Sequence, residues 1–258
     1  MQQHSVGYVF KFSLAVCGVC AIFVSAAAVL LADRQDVNEV LEKRRNVLEA
    51  AGLMKTGEKL SADEVEKRFA TVEPVVIDLA TGEVAAGVDP QTFDQEKAKK
   101  DPATIHAAPP NPSRVSRLPN QALVYEVKDE AGHLEMVVLP VEGYGLWGTL
   151  YGFVAVGADG DTIRGLTYYK HKETPGLGGE VDNPSWKALW PDRKIFGPGG
   201  EPKIEVIKGA AGPPAEAPFK VDGLSGATLT SRGVTNMLHF WFGDNGFGPY
   251  LEKMRRAG

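Results

Sequence analysis

Cysteine is almost missing from this chain. Cys17 and Cys20 are the only two in 258 residues, and both sit inside an apolar N-terminal run. The rest of the chain therefore has no disulfide framework and no thiolate metal site. Histidine is scarce too. There are five, and His171, beside Glu173, has no second histidine at ligand spacing. No metal site is expected. An excess of base is also lacking. All 33 acidic residues lie at or after Asp33, and of the 28 basic residues only Lys11 precedes it. The part beyond residue 32 is thus more acidic than the net −5 of the whole chain, which argues against nucleic acid as a partner. A hydrolase constellation is wanting as well. Ser225 in D-G-L-S-G-A does not complete a nucleophile elbow, and that chemistry would need a histidine and an acid beside it.

What is present begins with Phe12 to Ala32, 21 residues without a charge. That length crosses a bilayer as one helix. Ser25-Ala-Ala-Ala28 is a small-residue cluster that a cleaved signal peptide would also show. Apolar residues run on through Leu30 and Leu31, which favours an uncleaved anchor. Lys11 precedes the span, while Arg34, Lys43, Arg44 and Arg45 follow it. Counted literally, the positive-inside rule puts the large domain in the cytoplasm. Cys17 and Cys20 stand at i, i+3 and share a helix face. They read as small packing residues of a membrane helix, with a cluster held at a partner interface as the alternative. The span has no ionisable residue, hence no ion relay of its own.

The expected organisation is a tail over 1–11, a transmembrane helix over 12–32, a stalk helix over 33–60 and a folded domain over 61–258. Val37, Val40, Leu41, Val47 and Leu48 make the stalk's apolar stripe. Ser61-Ala-Asp-Glu64 is a capping-box pattern, so a short helix follows it. Val72 to Leu79 reads as a strand closed at Thr81-Gly82. Residues 85–120, with Pro109, Pro110, Pro112 and Pro119, read as a long surface connection with little regular structure. Two hairpins follow: 122–127 with 134–141, and 150–157 with 162–169. Ile204 to Ile207 reads as a strand, and 208–218 as an Ala/Pro-rich loop. The sum is an α+β fold, a mainly antiparallel sheet with helices at its ends. The basic C-terminal residues Lys253, Arg255 and Arg256 read as a solvated helix end.

Three stretches carry chemistry. Asp222-Gly-Leu-Ser-Gly-Ala-Thr-Leu-Thr-Ser231 is rich in hydroxyls and small residues. Val234, Met237, Leu238 and Trp241 recur behind it at helical spacing, so a helix starts near Ser231 with Ser231 or Thr230 as N-cap. Backbone N–H groups at such a start favour an anion, and Thr228 puts a hydroxyl beside it. Read without any further information, the same stretch is equally a turn and a cap. Gly143-Tyr-Gly-Leu-Trp-Gly148 is a glycine-spaced aromatic loop, either a plain turn or a wall for an aromatic ligand. His171-Lys-Glu-Thr-Pro-Gly-Leu-Gly178 contains a Pro-Gly turn.

Taken together, D-G-L-S-G-A-T and E-T-P-G-L-G resemble the motifs of the FMN-binding domain family. The resemblance implies FMN joined covalently, by a flavin transferase, through its phosphate to the hydroxyl of Thr228. Asp222, Ser225, Gly226, Ala227 and Thr230 would complete the phosphate loop. Leu146, Trp147, Glu173, Thr174, Gly176, Leu177 and Gly178 would lie near the flavin. Over nearly its full length, with V-S-A-A-A-V at 24–29, G-G-E-V-D-N-P-S-W at 178–186 and W-F-G-D-N-G-F-G-P-Y at 241–250, the chain is similar to the C subunits of sodium-translocating NADH:quinone oxidoreductases. The sister flavin subunits G of ion-pumping ferredoxin:NAD oxidoreductases share both flavin motifs and are the alternative within this class, while the 178–186 extension and the end of 241–250 favour the C subunits. The resemblance implies an electron carrier among other subunits of a membrane redox pump. It also implies a single span in the bacterial inner membrane and, against the charge count, a periplasmic domain. No sodium site is expected in this chain. A membrane-anchored binding module with no redox role is the competing class.

Overall fold

Runs of β-branched and apolar residues, each closed by a turn residue, build one sheet. The structure, a computed structural model, describes residues 5–257. The strands are β1 (Val72–Asp78), β2 (Glu83–Val84), β3 (Ile105–Ala107), β4 (Arg117–Pro119), β5 (Gln121–Lys128), β6 (Leu134–Tyr144), β7 (Thr149–Gly157), β8 (Ile163–Lys170), β9 (Glu205–Val206) and β10 (Lys220–Val221). The helices are α1 (Val6–Ala50), α2 (Ala62–Phe69), α3 (Gln95–Ala98), α4 (Pro184–Lys187), α5 (Thr228–Phe242) and α6 (Gly248–Ala257).

The chain divides into two units after Lys43. In the first, the stretch Val6–Ala32 of α1 has a mean hydropathy of 2.7. Phe10, Phe12, Ile22, Phe23 and Leu30 stand exposed along it, as do Cys17 and Cys20. Among the described residues it is the one helix long and apolar enough to cross a membrane.

In the second unit, six strands pair antiparallel in the order β2-β1-β5-β6-β7-β8. The two expected hairpins form with their edges shifted by at most three residues. The first closes on Asp129, whose Oδ1 accepts from Ala131 N and His133 N, each at 2.8–2.9 Å, with Gly132 at positive φ. The second closes at Asp159-Gly160. Burial alone would raise the Asp159 carboxyl, but hydrogen bonds from Thr162, Asp161 and Lys194 outweigh it and hold the group well below the usual carboxylate range.

One face of the sheet carries Val124, Val137, Leu139, Val141 and Val154, packed with Val234, Met237, Leu238 and Trp241 of α5 and Leu251 of α6. Burying each such aliphatic side chain contributes about 1.5–3 kcal/mol. Two glycines set how closely α5 crosses β6. A Cβ on Gly143 would stand 2.6 Å from Met237 Cβ, and one on Gly233 would stand 2.5 Å from the Tyr144 carbonyl. The other face meets the end of α1, where a Cβ on Gly165 would collide with the Ala50 carbonyl. The α2 capping box at Ser61 and Glu64 forms as expected.

Several expectations change. The 85–120 connection holds α3 and the β3–β4 hairpin. The strand expected at 204–207 shrinks to β9, which pairs in parallel with β10. The basic C-terminus is not uniformly solvated. Arg255 stacks 3.9 Å over the Phe196 ring, because the aromatic face offers an arginine both contact area and a negative quadrupole. Lys253 and Arg256 remain exposed, paired with Glu83 and Glu252.

The last turn of α1 is tied down by charge. Lys187 Nζ donates to Glu49 Oε1 at 2.8 Å and to Thr167 Oγ1 at 2.9 Å, in a pair about nine-tenths withdrawn from solvent. Burial by itself raises the Glu49 carboxyl. Hydrogen bonds from Lys187, Thr56 and Thr167 outweigh it, and the net shift is downward. A carboxyl depressed in the folded state contributes stability that is full above its unfolded pKa and lost as pH falls through the folded one. Stability to urea should therefore decline as pH is lowered below the ordinary glutamate range. In Glu49→Gln that part of the decline should vanish, with lower stability at neutral pH. Parallel pH profiles for the two proteins would contradict this assignment.

Candidate functional site

The site is assembled by one buried carboxylate. Glu173 follows β8 and is 5% exposed. Its Oε1 accepts from Leu146 N and Trp147 N, both at 2.9 Å, and its Oε2 accepts from Thr230 Oγ1 at 2.5 Å. The aromatic loop, the E-T-P-G-L-G turn and the first turn of α5 thus meet at a single group. The fit leaves no spare room. A Cβ on Gly145 would stand 2.6 Å from Oε1, and one on Gly178 would stand 2.5 Å from both Oε2 and Thr230 Oγ1. The Glu173 N–H donates to His171 Nδ1 at 3.1 Å. The His171 proton therefore sits on Nε2, which donates to Asp182 Oδ2 at 2.7 Å.

In the turn itself, the Thr174 carbonyl accepts from Leu177 N at 3.1 Å and Gly179 N at 2.9 Å. Gly176 takes φ +77° there. Leu177 reaches across to the other motif: a Cβ on Gly226, itself at φ +70°, would meet Leu177 Cδ2 at 2.9 Å.

Most residues of D-G-L-S-G-A-T have an identifiable local task. Asp222 Oδ1 accepts from Ala211 N at 2.8 Å and its carbonyl accepts from Trp186 Nε1 at 2.9 Å, so the loop is fastened to both neighbours. Gly223 passes so close to Ile207 that a Cβ would collide with its carbonyl. Leu224 and Ala227 are buried, while Ser225, Gly226 and Thr228 are exposed.

Here the expected helix start is corrected. α5 begins at Thr228, with Ala227 as N-cap and no side-chain cap. Neither Thr230 nor Ser231 caps it. Both are buried, Thr230 on Glu173 and Ser231 accepting from Leu224 N at 3.1 Å. The first-turn N–H groups are left without a side-chain acceptor, at the positive end of the helix dipole. The Thr228 hydroxyl forms no hydrogen bond among the described residues.

Thr228 opens on a groove of about 510 Å³, lined also by Ser225, Gly226, Lys208, Ser231 and Arg232. That volume lies within the range of small-molecule sites, roughly 300–1,000 Å³. Two of these residues escaped sequence reasoning. Arg232 stands one turn beyond Thr228, the i, i+4 spacing that would have revealed it. Lys208 sits at the edge of an Ala/Pro-rich loop and carries no local signal. Leu146, Trp147, Thr174 and Leu177 do not line this groove. They lie on the side of the Glu173 turn, and Leu146, Trp147 and Leu177 expose 38%, 62% and 44% of their surface.

The fold and site define an FMN-binding domain protein: the FMN-binding domain family matches residues 145–243, from the aromatic loop to the end of α5. Relatives narrow the class. The C subunit of the Na(+)-translocating NADH-quinone reductase of Yersinia pestis is 44% identical over 258 residues, covering 99% of this chain and 95% of its own. That of Vibrio anguillarum is 46% identical over 247 residues, covering 95% and 93%. The crystal structure of Shewanella oneidensis NqrC superposes with a TM-score of 0.75 at 36% identity, over 84% of this chain and 97% of its own. The chain belongs to the family of Na(+)-translocating NADH-quinone reductase C subunits.

If Glu173 is the tie between the three segments, removing it is costly. Each buried donor left unsatisfied costs about 1–3 kcal/mol. Glu173→Ala strands the buried Thr230 hydroxyl and frees two part-buried N–H groups, and should destabilise the protein by about 1–3 kcal/mol or more, measured by urea unfolding. Glu173→Gln keeps one acceptor oxygen and should lose less. Equal, small losses for both would show that the carboxylate does not hold the site.

Proposed function

We propose that this chain is the FMN-carrying electron-relay subunit of a membrane-bound, sodium-translocating NADH:quinone oxidoreductase. FMN would be bound as a phosphoester of Thr228. The observation that carries this reading is the state of the α5 start. An exposed, unengaged threonine hydroxyl stands at an uncapped helix N-terminus, with two cations in the same groove. That donor set fits a phosphate. The helix N–H groups, Arg232 and Lys208 are all donors, and an anion there takes the place of the missing cap. Gly226, at positive φ and open to solvent, lets the backbone approach it.

A phosphoester does not form spontaneously from an alcohol and free phosphate in water. A flavin transferase acting on an activated flavin phosphate would make the link: the Thr228 Oγ1–P bond would form as the bond from phosphorus to the activating group breaks, with the hydroxyl proton passing to a base of the transferase, and the exposure of Thr228 leaves the hydroxyl within reach of it. Bound FMN would supply one- and two-electron transfer. The chain's own residues hold and orient. Asp222 and Gly223 fix the loop, and Glu173 locks the first turn of α5. Leu146, Trp147 and Leu177 offer apolar surface suited to an aromatic ring. Electrons would pass between neighbouring cofactors of other subunits, towards ubiquinone, with sodium export a property of the whole complex. Val6–Ala32 would anchor the chain in the bacterial inner membrane with the domain in the periplasm.

Intact-mass analysis of the full chain, made beside a working flavin transferase, should show one added FMN. A fluorescent band should survive denaturing electrophoresis and disappear in Thr228→Ala. A wild-type chain of unmodified mass, or a band retained in Thr228→Ala, would overturn the assignment. In intact spheroplasts, added protease should remove the fluorescent domain. A domain protected until the membrane is permeabilised would place it in the cytoplasm instead.

A further inference from the structure

A second cavity, away from the Thr228 groove, is built like an anion site. It measures about 230 Å³ and is lined in part by Lys99, Arg114, Arg117, Glu142 and Tyr144. Its charge does not cancel internally. Lys99 Nζ donates to Glu142 Oε2 at 2.7 Å, and Glu142 is the one carboxylate among these lining residues. Arg114 and Arg117 form no ion pair among the described residues and are exposed. Two positive charges therefore face the cavity without a counter-charge, on a domain whose overall balance is acidic.

Arg114 is also held in an unfavourable backbone conformation. Its φ is +58°, a left-handed state that costs a residue with a Cβ roughly 1–2 kcal/mol. The loop around it imposes that state. Asn111 Nδ2 donates to the Val115 carbonyl at 2.8 Å, and Asn111 Oδ1 accepts from Ser113 Oγ and Val115 N, each at 3.1 Å. Tyr144 N donates to the Ser113 carbonyl at 2.9 Å, fastening the loop to the end of β6. The result is an Arg114 guanidinium stacked 4.6 Å over the Tyr144 ring, oriented by the ring and the loop together. Strain kept where the chain could have placed glycine, and spent on aiming a cation, points to function.

We infer that Arg114 and Arg117 form a binding site for a small soluble oxyanion of about two negative charges, a phosphate or a dicarboxylate. The charge count sets the ligand's charge. The volume sets its size, since 230 Å³ falls below the range typical of drug-sized ligands, about 300–1,000 Å³. A flavin or dinucleotide does not fit. The site adjoins Tyr144, two residues before Leu146, so its occupant would bear on the base of the aromatic loop.

Equilibrium dialysis of the full-length detergent-solubilised protein against radiolabelled inorganic phosphate, at constant ionic strength, tests this. Saturable uptake is expected, with one phosphate per chain lost in the arginine variants below, beside any held at the start of α5. Arg117→Gln should weaken it at least about tenfold, the effect of losing one charge-assisted hydrogen bond. Arg114→Gly should do the same while leaving thermal stability equal or higher, because glycine relieves the positive φ. Dicarboxylate competition should follow the same pattern. Absence of saturable uptake of either anion by the wild type, or a stoichiometry and affinity that both arginine variants leave unchanged, would overturn the proposal.

Discussion

The site depends on the Glu173 carboxylate. It is an acceptor without donors of its own, placed where two other chain segments, the aromatic loop and the first turn of α5, offer it three donors between them. The segments are distant in sequence, and glycines of two of them lie against the carboxylate. Gly145 and Gly178 let the backbone come within reach of the carboxylate. Neither tolerates a Cβ, so neither can contribute apolar packing there. Hydrogen bonding to one buried acceptor replaces what side-chain packing does elsewhere in the sheet. Thr230, in the first turn of α5, brings the positive end of the helix dipole towards the same negative group.

Sequence reasoning reached most of this fold because the sheet follows elementary rules. Strands β5 to β8 alternate or run apolar between turn residues, and Asp129 with Gly132, and Asp159 with Gly160, close them by local side-chain bonds. What escaped was long-range. Thr230 and Ser231 carry the chemistry of caps, yet both hydroxyls turn inward to partners 57 and 7 residues away. No local window contains the Glu173 that claims Thr230. The helix consequently starts three residues earlier, at a residue whose neighbour Ala227 has no cap to give. Arg255 was misread for the same reason: its partner, Phe196, lies far back in the chain. Lys208 and Arg232 became visible as a pair only when β9 and α5 were brought side by side around the groove.

The uncapped start of α5 breaks a local rule. A Ser, Thr, Asp or Asn at position 227 would stabilise the helix by roughly 0.5–2 kcal/mol over alanine. Here the side chain is buried against the core, with 4% exposure, where a polar group would be out of place. Places where local preference is overridden tend to be functional sites. The override gains meaning from its surroundings. The hydroxyl that could have folded back onto the first turn, Thr230, is committed to Glu173, and Thr228 points to solvent. The hydroxyls of Thr230 and Ser231 are assigned elsewhere and no side chain caps the terminus, which leaves it open to an external anion.

The same logic separates the two sides of Thr228. The groove side carries the cations and donors, with Lys208, Arg232 and the helix start. The side of the Glu173 turn is apolar, with Leu146, Trp147 and Leu177 largely exposed. Leu177 touches the Gly226 position and so reaches from one side to the other. A ligand with a phosphate at one end and a planar aromatic system at the other matches this division, whereas a simple anion or a simple aromatic would use only half of it. The Glu173 tie keeps the two halves at a fixed separation, because it binds the backbone of the aromatic loop and the helix that carries Thr228 through opposite oxygens of one carboxylate. A shift of either half must break a buried hydrogen bond, and that is the physical basis on which a tethered cofactor could be held at a constant distance from its neighbours.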